Sequence, residues 1–280
     1  MKVLVTGAKG QLGYDVIKRL EALGDTPIGA DIDDFDITDA EKTQGFIIGH
    51  KPQAVIHCAA YTAVDRAEDE PEKCRLINVE GTRNIANACR LNGSRLVYIS
   101  SDYVFGDDGC SLLETDSPKN PQSVYGITKL EGEAAAMLCP RSFIVRTSWV
   151  FGENGGNFVK TMLRLSETHD SITVVNDQTG SPTYTPDLAR LLCDMIKTDK
   201  FGVYHASNEG FCTWAEFAGE IMRLANRPTR IIPCTSEEYA AKAKRPKNSR
   251  LSKASLDEAG FERLPDWHDA LERFLKNLDL

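Results

Sequence analysis

Tyr125 and Lys129 stand four residues apart in NPQSVYGITKLEGE (120–133), so on a helix they share a face. An ammonium near a phenol favours the phenolate and lowers its pKa. That makes a tyrosine an acid–base group usable near neutral pH. Ser101 adds a hydroxyl that can donate to a carbonyl and hold it for proton transfer. Each signal is weak alone, because such pairs decorate exposed helices and serines often end strands. Their order gives them weight, for a third signal precedes them. TGAKGQLG (6–13) carries Gly7, Gly10 and Gly13 as GxxGxxG. Gly7 allows a tight turn, Gly10 lets backbone approach a pyrophosphate, and Gly13 permits close helix–strand packing. A following helix N-terminus offers free N–H groups to phosphates. A glycine turn that binds nothing is the bland alternative, but the strand–loop–helix setting argues for a cofactor. Together the three signals point to a nicotinamide-dependent oxidoreductase working on a carbonyl.

The elements that must position these residues follow from periodicity. Short apolar strands are expected at 2–6, 27–30, 54–59, 96–100 and 142–147. Helical patterns lie between them at 12–23, 71–91 and 124–138. This alternation predicts an α/β fold with a doubly wound, Rossmann-like parallel sheet. Ser101 then falls at the carboxyl edge, where ligands bind. Residues 1–150 form the expected dinucleotide-binding domain. Beyond 150 the pattern loosens, with helices at 158–165, 185–197 and 214–225 and a strand at 172–175. Residues 151–280 read mainly as a smaller substrate lobe, with segments near 184–205 threading back.

Asp31 follows the second strand, about 20 residues beyond the loop, where an acid can accept from the adenosine ribose. That favours NADH, whereas Lys9 could pair with a 2′-phosphate, so NADPH and NADH both stay open. Asp36 and Ile37 lie where a loop could cover the adenine. Ala59, Ala60, Tyr61 and Thr62 follow the third strand at the same edge.

Composition bounds the partners. The 280 residues carry a formal charge of −8, which disfavours nucleic acid and anionic membranes. No apolar run reaches the roughly 20 residues of a membrane span, and a cytoplasmic protein is expected. Cys58, Cys74, Cys89, Cys110, Cys139, Cys193, Cys212 and Cys234 show no metal-ligand spacing, so they read as small buried apolar residues and no metal site is expected. His57, between Ile56 and Cys58, reads as a satisfied core histidine rather than a catalytic one.

With these motifs in view, the chain resembles the extended short-chain dehydrogenase/reductase family and, within it, the dTDP-4-dehydrorhamnose reductases. TGAKGQLG, CAAYTAVDRAE (58–68), SSDYVF (100–105), NPQSVYGITKLEGE and VRTSWVFG (145–152) carry the resemblance, with NFVKTML (157–163), VVNDQTGSPT (174–183) and KRPKNSRL (244–251). It implies Tyr125 as proton donor and Lys129 as its partner, which also touches the nicotinamide ribose. Gly10, Gln11, Leu12, Asp31, Asp36, Ile37, Ala60, Tyr61 and Thr62 would line the cofactor. Ser101, Asp102 and Trp149 would contact a dTDP-sugar. Ser101 replaces a usual threonine, and Tyr61 a usual histidine. The implied reaction is reduction of a 4-keto sugar nucleotide by NADPH or NADH, in a monomer or homodimer. Asp15 lies where some relatives place a carboxylate at a metal-bridged dimer contact, though the sequence establishes no such site.

Lys242, Lys244, Arg245, Lys247, Arg250 and Lys253 fall in one acid-free stretch. A diphosphate suits such a stretch, and Arg245 and Arg250 are the candidate contacts. Asn157 and Gln178 are loop residues that could reach the nucleotide. Alternatives are another sugar-nucleotide reductase or 4-epimerase, or a regulatory subunit resembling that of methionine adenosyltransferase. The intact Tyr–Lys pair argues against the last. Tyr103 stands where sugar-nucleotide 4,6-dehydratases place a glutamate, which disfavours elimination.

Overall fold

The computed structural model describes residues 1–106, 109 and 111–278. Strands β1 (Lys2–Thr6), β2 (Thr26–Ala30), β3 (Ala54–His57), β4 (Arg95–Ser101) and β5 (Ser142–Thr147) join a sixth, Gly202–His205, in one sheet. The order is β2, β1, β3, β4, β5 and Gly202–His205, and every pairing is parallel. The chain moves from β1 outward to β2, then crosses to β3 on the other side of β1. That reversal opens a crevice at the carboxyl ends of β1 and β3.

Alternation along the strands covers both faces of the sheet. Val3 and Val5 pack with Ile56, Val97 and Val145 against helix α1 (Gln11–Ala22) and helix Thr185–Met195. Leu4, Val55, Leu96, Tyr98 and Ile144 point the other way. There they meet helix α2 (Ala40–His50) through Ile47 and α5 (Thr82–Asn92) through Ile85, Ala86 and Cys89. Each fully buried Val or Leu contributes about 1.5–3 kcal/mol. Short helices α3 (Val64–Ala67) and α4 (Pro71–Arg75) link β3 to α5, and α6 (Val124–Ala136) follows β4. The N-terminus of α6 is capped by Ser123, whose Oγ accepts from Gly126 N at 3.2 Å.

A separate apolar core builds the other lobe. Helices Phe158–Ser166, Trp214–Leu224 and Trp267–Asn277 enclose Phe151, Tyr184, Phe217 and Phe274. Three two- or three-stranded sheets complete it, the longest pairing Ser171–Val175 with Arg230–Cys234.

The continuous helix expected over 71–91 is broken. Between α4 and α5 lies a π-helical turn, Leu76–Gly81. It places Asn78 in the interior, where its amide accepts from Tyr61 N at 2.8 Å and donates to Tyr61 O at 3.2 Å and Thr128 Oγ at 3.1 Å. The wide turn thus ties the loop after β3 to α6. Of the described cysteines, all are free thiols; Cys58 and Cys234 are partly exposed and the others buried. Cys110 lies outside the described residues. No helix among the described residues is long and apolar enough to cross a membrane.

Candidate active site

A cleft of about 970 Å³ runs along the carboxyl ends of β1, β3, β4 and β5. Gly7, Gly10, Gln11, Leu12, Asp31, Asp36, Ile37, Ala60 and Thr62 line it. So do Ser101, Asp102, Tyr125, Lys129 and Trp149. Residues from six different segments therefore meet in one space.

The glycine loop is shaped as a cradle. Gly7 has φ +65°, and a Cβ there would sit 2.8 Å from Ala59 N. A Cβ on Gly13 would sit 2.1 Å from Gly7 O. Neither position accepts a side chain, so backbone stays open to a ligand. Helix α1 begins at Gly10 with no side-chain cap and no acid in its first turn. Its N–H groups and positive dipole end fit a dinucleotide pyrophosphate.

At the other end, α6 presents Tyr125 and Lys129 to the cleft. The Tyr125 ring packs edge-on to Tyr103, with centroids 5.2 Å apart. Burial pushes the Tyr125 phenol pKa well up, with the Asp102 carboxylate adding to the rise and the Ser101 hydroxyl opposing it. The expected lowering of this pKa by Lys129 is not what the structure shows. The reason is where the ammonium points. Lys129 Nζ donates to Ile99 O at 2.6 Å and lies 4.2 Å from the centre of the Tyr98 ring. Ser101 Oγ donates to Asp102 Oδ1 at 2.7 Å and accepts from Tyr103 N at 3.2 Å. Ser249 Oγ donates to the other Asp102 oxygen at 2.6 Å. Asp102 lines the cleft, but its carboxylate is engaged by two hydroxyls.

Burial lowers the Lys129 pKa from near 10.5 to about 7, with Glu133 opposing the fall. The sign for stability follows. Between about pH 7 and 10.5 the unfolded chain binds a proton that the folded chain has released, so stability rises with pH there. Below that window the full cost of a buried ammonium remains. Lys129→Met is expected to raise Tm by about 2–4 °C at pH 6, with the gain shrinking by pH 10. Thermal melts at the two pH values check this, and no gain at pH 6 contradicts it.

Three expected site residues lie elsewhere. Tyr61 does not line the cleft; its hydroxyl donates to Glu70 Oε2 at 2.7 Å and its ring packs with Ala67, Cys74 and Tyr125. Arg245 faces a second cavity of about 640 Å³ and grips Asp65 with two nitrogens, at 3.1 and 2.7 Å. Arg250 lines neither cavity, and its Nη1 donates to Asn248 Oδ1 at 3.1 Å. Much of the basic stretch thus answers acids of the sheet domain and its neighbour, with Lys242 on Asp69 and Lys247 on Asp177. Gln178 and Trp214 line the second cavity. Asn157 lines the first and donates to Gln11 Oε1 at 3.1 Å.

Trp149 adopts φ +50°, the left-handed region that side chains avoid. Its ring stacks on Trp214 at 3.7 Å, and a Cβ on Gly180 would come within 3.0 Å of it. The ring is fixed as a wall between the two cavities, which it and Trp214 respectively line. His57 is the core histidine expected: Thr6 Oγ and Thr82 Oγ sit 2.7 and 3.3 Å from its ring nitrogens, and burial lowers its pKa to about 3.

The sequence pattern gave no sign of a buried network behind α6. Glu133 lies one turn beyond Lys129 and accepts from Arg146 of β5 at 2.8 and 2.7 Å and from Ser100 Oγ at 2.5 Å. Nothing in the local pattern marks a glutamate and an arginine 13 residues apart as partners. Asn78 was missed too, because a π-turn has no signature in a 3.6-residue period.

The parallel sheet with its switch-point cleft and glycine cradle is a Rossmann-like fold. A solved Clostridium acetobutylicum dTDP-4-dehydrorhamnose reductase superposes on it with a TM-score of 0.97 at 41% identity, covering 100% of each chain. The chain belongs to the family described as RmlD substrate binding domain, whose model matches residues 1–280. A Streptomyces griseus dTDP-4-dehydrorhamnose reductase is 41% identical over 276 residues, covering 96% of this chain and 91% of that one. The Bacillus subtilis spore coat polysaccharide biosynthesis protein SpsK is also 41% identical, covering 98% and 97%. A Bacillus anthracis dTDP-4-dehydrorhamnose reductase, solved in complex with NADP, superposes with a TM-score of 0.96 at 42% identity, covering 99% of each chain.

Proposed function

We propose that this protein reduces the 4-keto group of dTDP-4-dehydro-L-rhamnose to give dTDP-L-rhamnose, using NADH or NADPH. The observation that carries this reading is the meeting of Ser101, Tyr125 and Lys129 with the glycine cradle in one cleft. End-to-end similarity to reductases of that substrate supports it. Residues 1–150 would hold the cofactor, and 151–280 mainly the sugar nucleotide, with 184–205 returning to the first domain.

The N–H groups of Gly10, Gln11 and Leu12 would bind the pyrophosphate, and Asp31 the adenosine ribose. When bound, the nicotinamide supplies a hydride to the keto carbon. The high pKa of Tyr125 keeps its phenol protonated, which suits it to donate a proton to the alkoxide oxygen as charge develops there. Ser101 would turn its hydroxyl from Asp102 to the sugar oxygen, and Asp102 would act chiefly by holding Ser101. Lys129 would hold the nicotinamide ribose. Trp149 would wall the sugar, and the second cavity, with Trp214, Gln178 and Arg245, would take the thymidine diphosphate end. Arg250 is left out of this assignment, since it lines neither cavity.

The test follows cofactor absorbance at 340 nm with the ketosugar. Steady, stoichiometric oxidation with dTDP-L-rhamnose as product is expected. An epimerase would recycle its cofactor and leave the absorbance flat, which would overturn the reading.

A further inference from the structure

We infer that this chain selects NADH over NADPH, through an acidic turn after β2 that both repels a 2′-phosphate and occupies the one lysine placed to bind it. The inference rests on the proposed reading of the cleft as a nicotinamide site.

Asp31 lines the cleft just past β2. Its Oδ2 accepts from Lys9 N at 2.7 Å, which fixes the carboxylate against the glycine loop. Its own N–H donates to Asp34 Oδ2 at 2.9 Å. Asp33 lies between them in sequence, so three carboxylates crowd one turn, and Asp36 lines the cleft two residues beyond Asp34. A carboxylate held so can accept from a ribose 2′-hydroxyl, but it meets a phosphate dianion with like charge.

Lys9 is the basic residue that could reverse this. Its ammonium donates to Asp33 Oδ2 at 2.6 Å, and Lys9 is not among the residues lining the cleft. The pair is well exposed, at 70% and 76% for the two side chains, so it is weak and can be broken. Breaking it, however, frees Asp33 as much as Lys9. The turn stays net negative whichever way Lys9 swings, because one ammonium faces Asp31, Asp33 and Asp34. The residue after Asp31 is Ile32, 67% exposed, which offers a phosphate nothing. The cleft itself is lined by two cations among the described residues. Lys129 donates to Ile99 O, and Lys73 pairs with Glu70 at 3.5 Å. No arginine lines it among the described residues. A 2′-phosphate is normally held by such a group. The Bacillus anthracis relative was solved with NADP, so the inference separates this chain from a protein of nearly the same backbone.

Equilibrium titration of the purified protein with NADH and NADPH, read by cofactor fluorescence without any sugar, tests it. Wild type is expected to bind NADH about 30-fold or more tighter, at an ionic strength near 0.15 M where screening is defined. Asp33→Ala is expected to tighten NADPH about 10-fold and leave NADH within about twofold, by removing a repelling charge and releasing Lys9. Lys9→Ala is expected to leave NADPH no tighter in the wild-type background, since it frees the Asp33 charge, and to reduce the gain in the Asp33→Ala background. Equal affinities, or tighter NADPH, in the wild type would overturn the inference. NADPH affinity unmoved by Asp33→Ala would overturn the part given to the Lys9–Asp33 pair. Binding of neither cofactor would instead sink the nicotinamide reading itself.

Discussion

Tyr125→Phe is expected to lower kcat for ketone reduction by about 10²–10⁴-fold, with the cofactor dissociation constant within about twofold of wild type. The substitution deletes one oxygen and keeps the ring that packs on Tyr103. What is lost is the proton for the alkoxide oxygen. Burial and Asp102 hold the phenol protonated, which is the state reduction needs at the start of a turnover. The same shift disfavours the phenolate that alcohol oxidation would need, so the forward direction keeps its acid across neutral pH. Single-turnover and steady-state rates with saturating ketosugar measure the effect. A kcat near wild type in Tyr125→Phe would remove Tyr125 from the mechanism.

Glu133→Ala is expected to destabilise the fold by about 3–5 kcal/mol, because it strands the Arg146 guanidinium in the interior. Glu133 and Arg146 are 3% and 2% exposed. Nearby His205 offers no negative charge in its place; burial, aided by Arg146, lowers its pKa to about 3 and keeps it neutral. Glu133→Leu combined with Arg146→Met removes both charges and is expected to cost far less than either single change. Denaturant unfolding of the two singles and the double closes the cycle. Equal costs for Glu133→Leu and the double would show that the pair is not what holds this region. The pair matters to the site because it joins the middle of α6 to β5, and through Ser100 to the end of β4. Those are the elements that carry Tyr125, Lys129 and Ser101.

Local chemistry was legible in the sequence, and contact across elements was not. The glycine loop could be read because its spacing sets a local turn in which Gly13 packs on Gly7, although the close approach of Ala59 to Gly7 is long-range. Tyr125 and Lys129 could be placed on one helix face by spacing alone. Tyr61 could not, because its loop position allowed the ring to turn either toward the cleft or toward Ala67 and Cys74, and packing chose the latter. Arg245 read as one of six cations in an acid-free stretch. Its partner Asp65 lies 180 residues earlier and is met only when the two lobes come together. Asp102 was expected as a sugar contact, but burial with Ser101 and Ser249 on either side leaves its oxygens occupied.

The π-turn at Leu76–Gly81 has a consequence for how this chain can vary in length. Such a turn is an α-helix carrying one surplus residue. Deleting one residue there would return the segment to ordinary helical pitch, with the α-helical faces on either side keeping their phase. Ile85, Ala86 and Cys89 would stay on the sheet, whereas Asn78 would lose the wide turn that carries it to the loop after β3. The surplus residue therefore serves the loop at the cleft rather than the packing of α5, and its loss is expected to disturb the site before the fold.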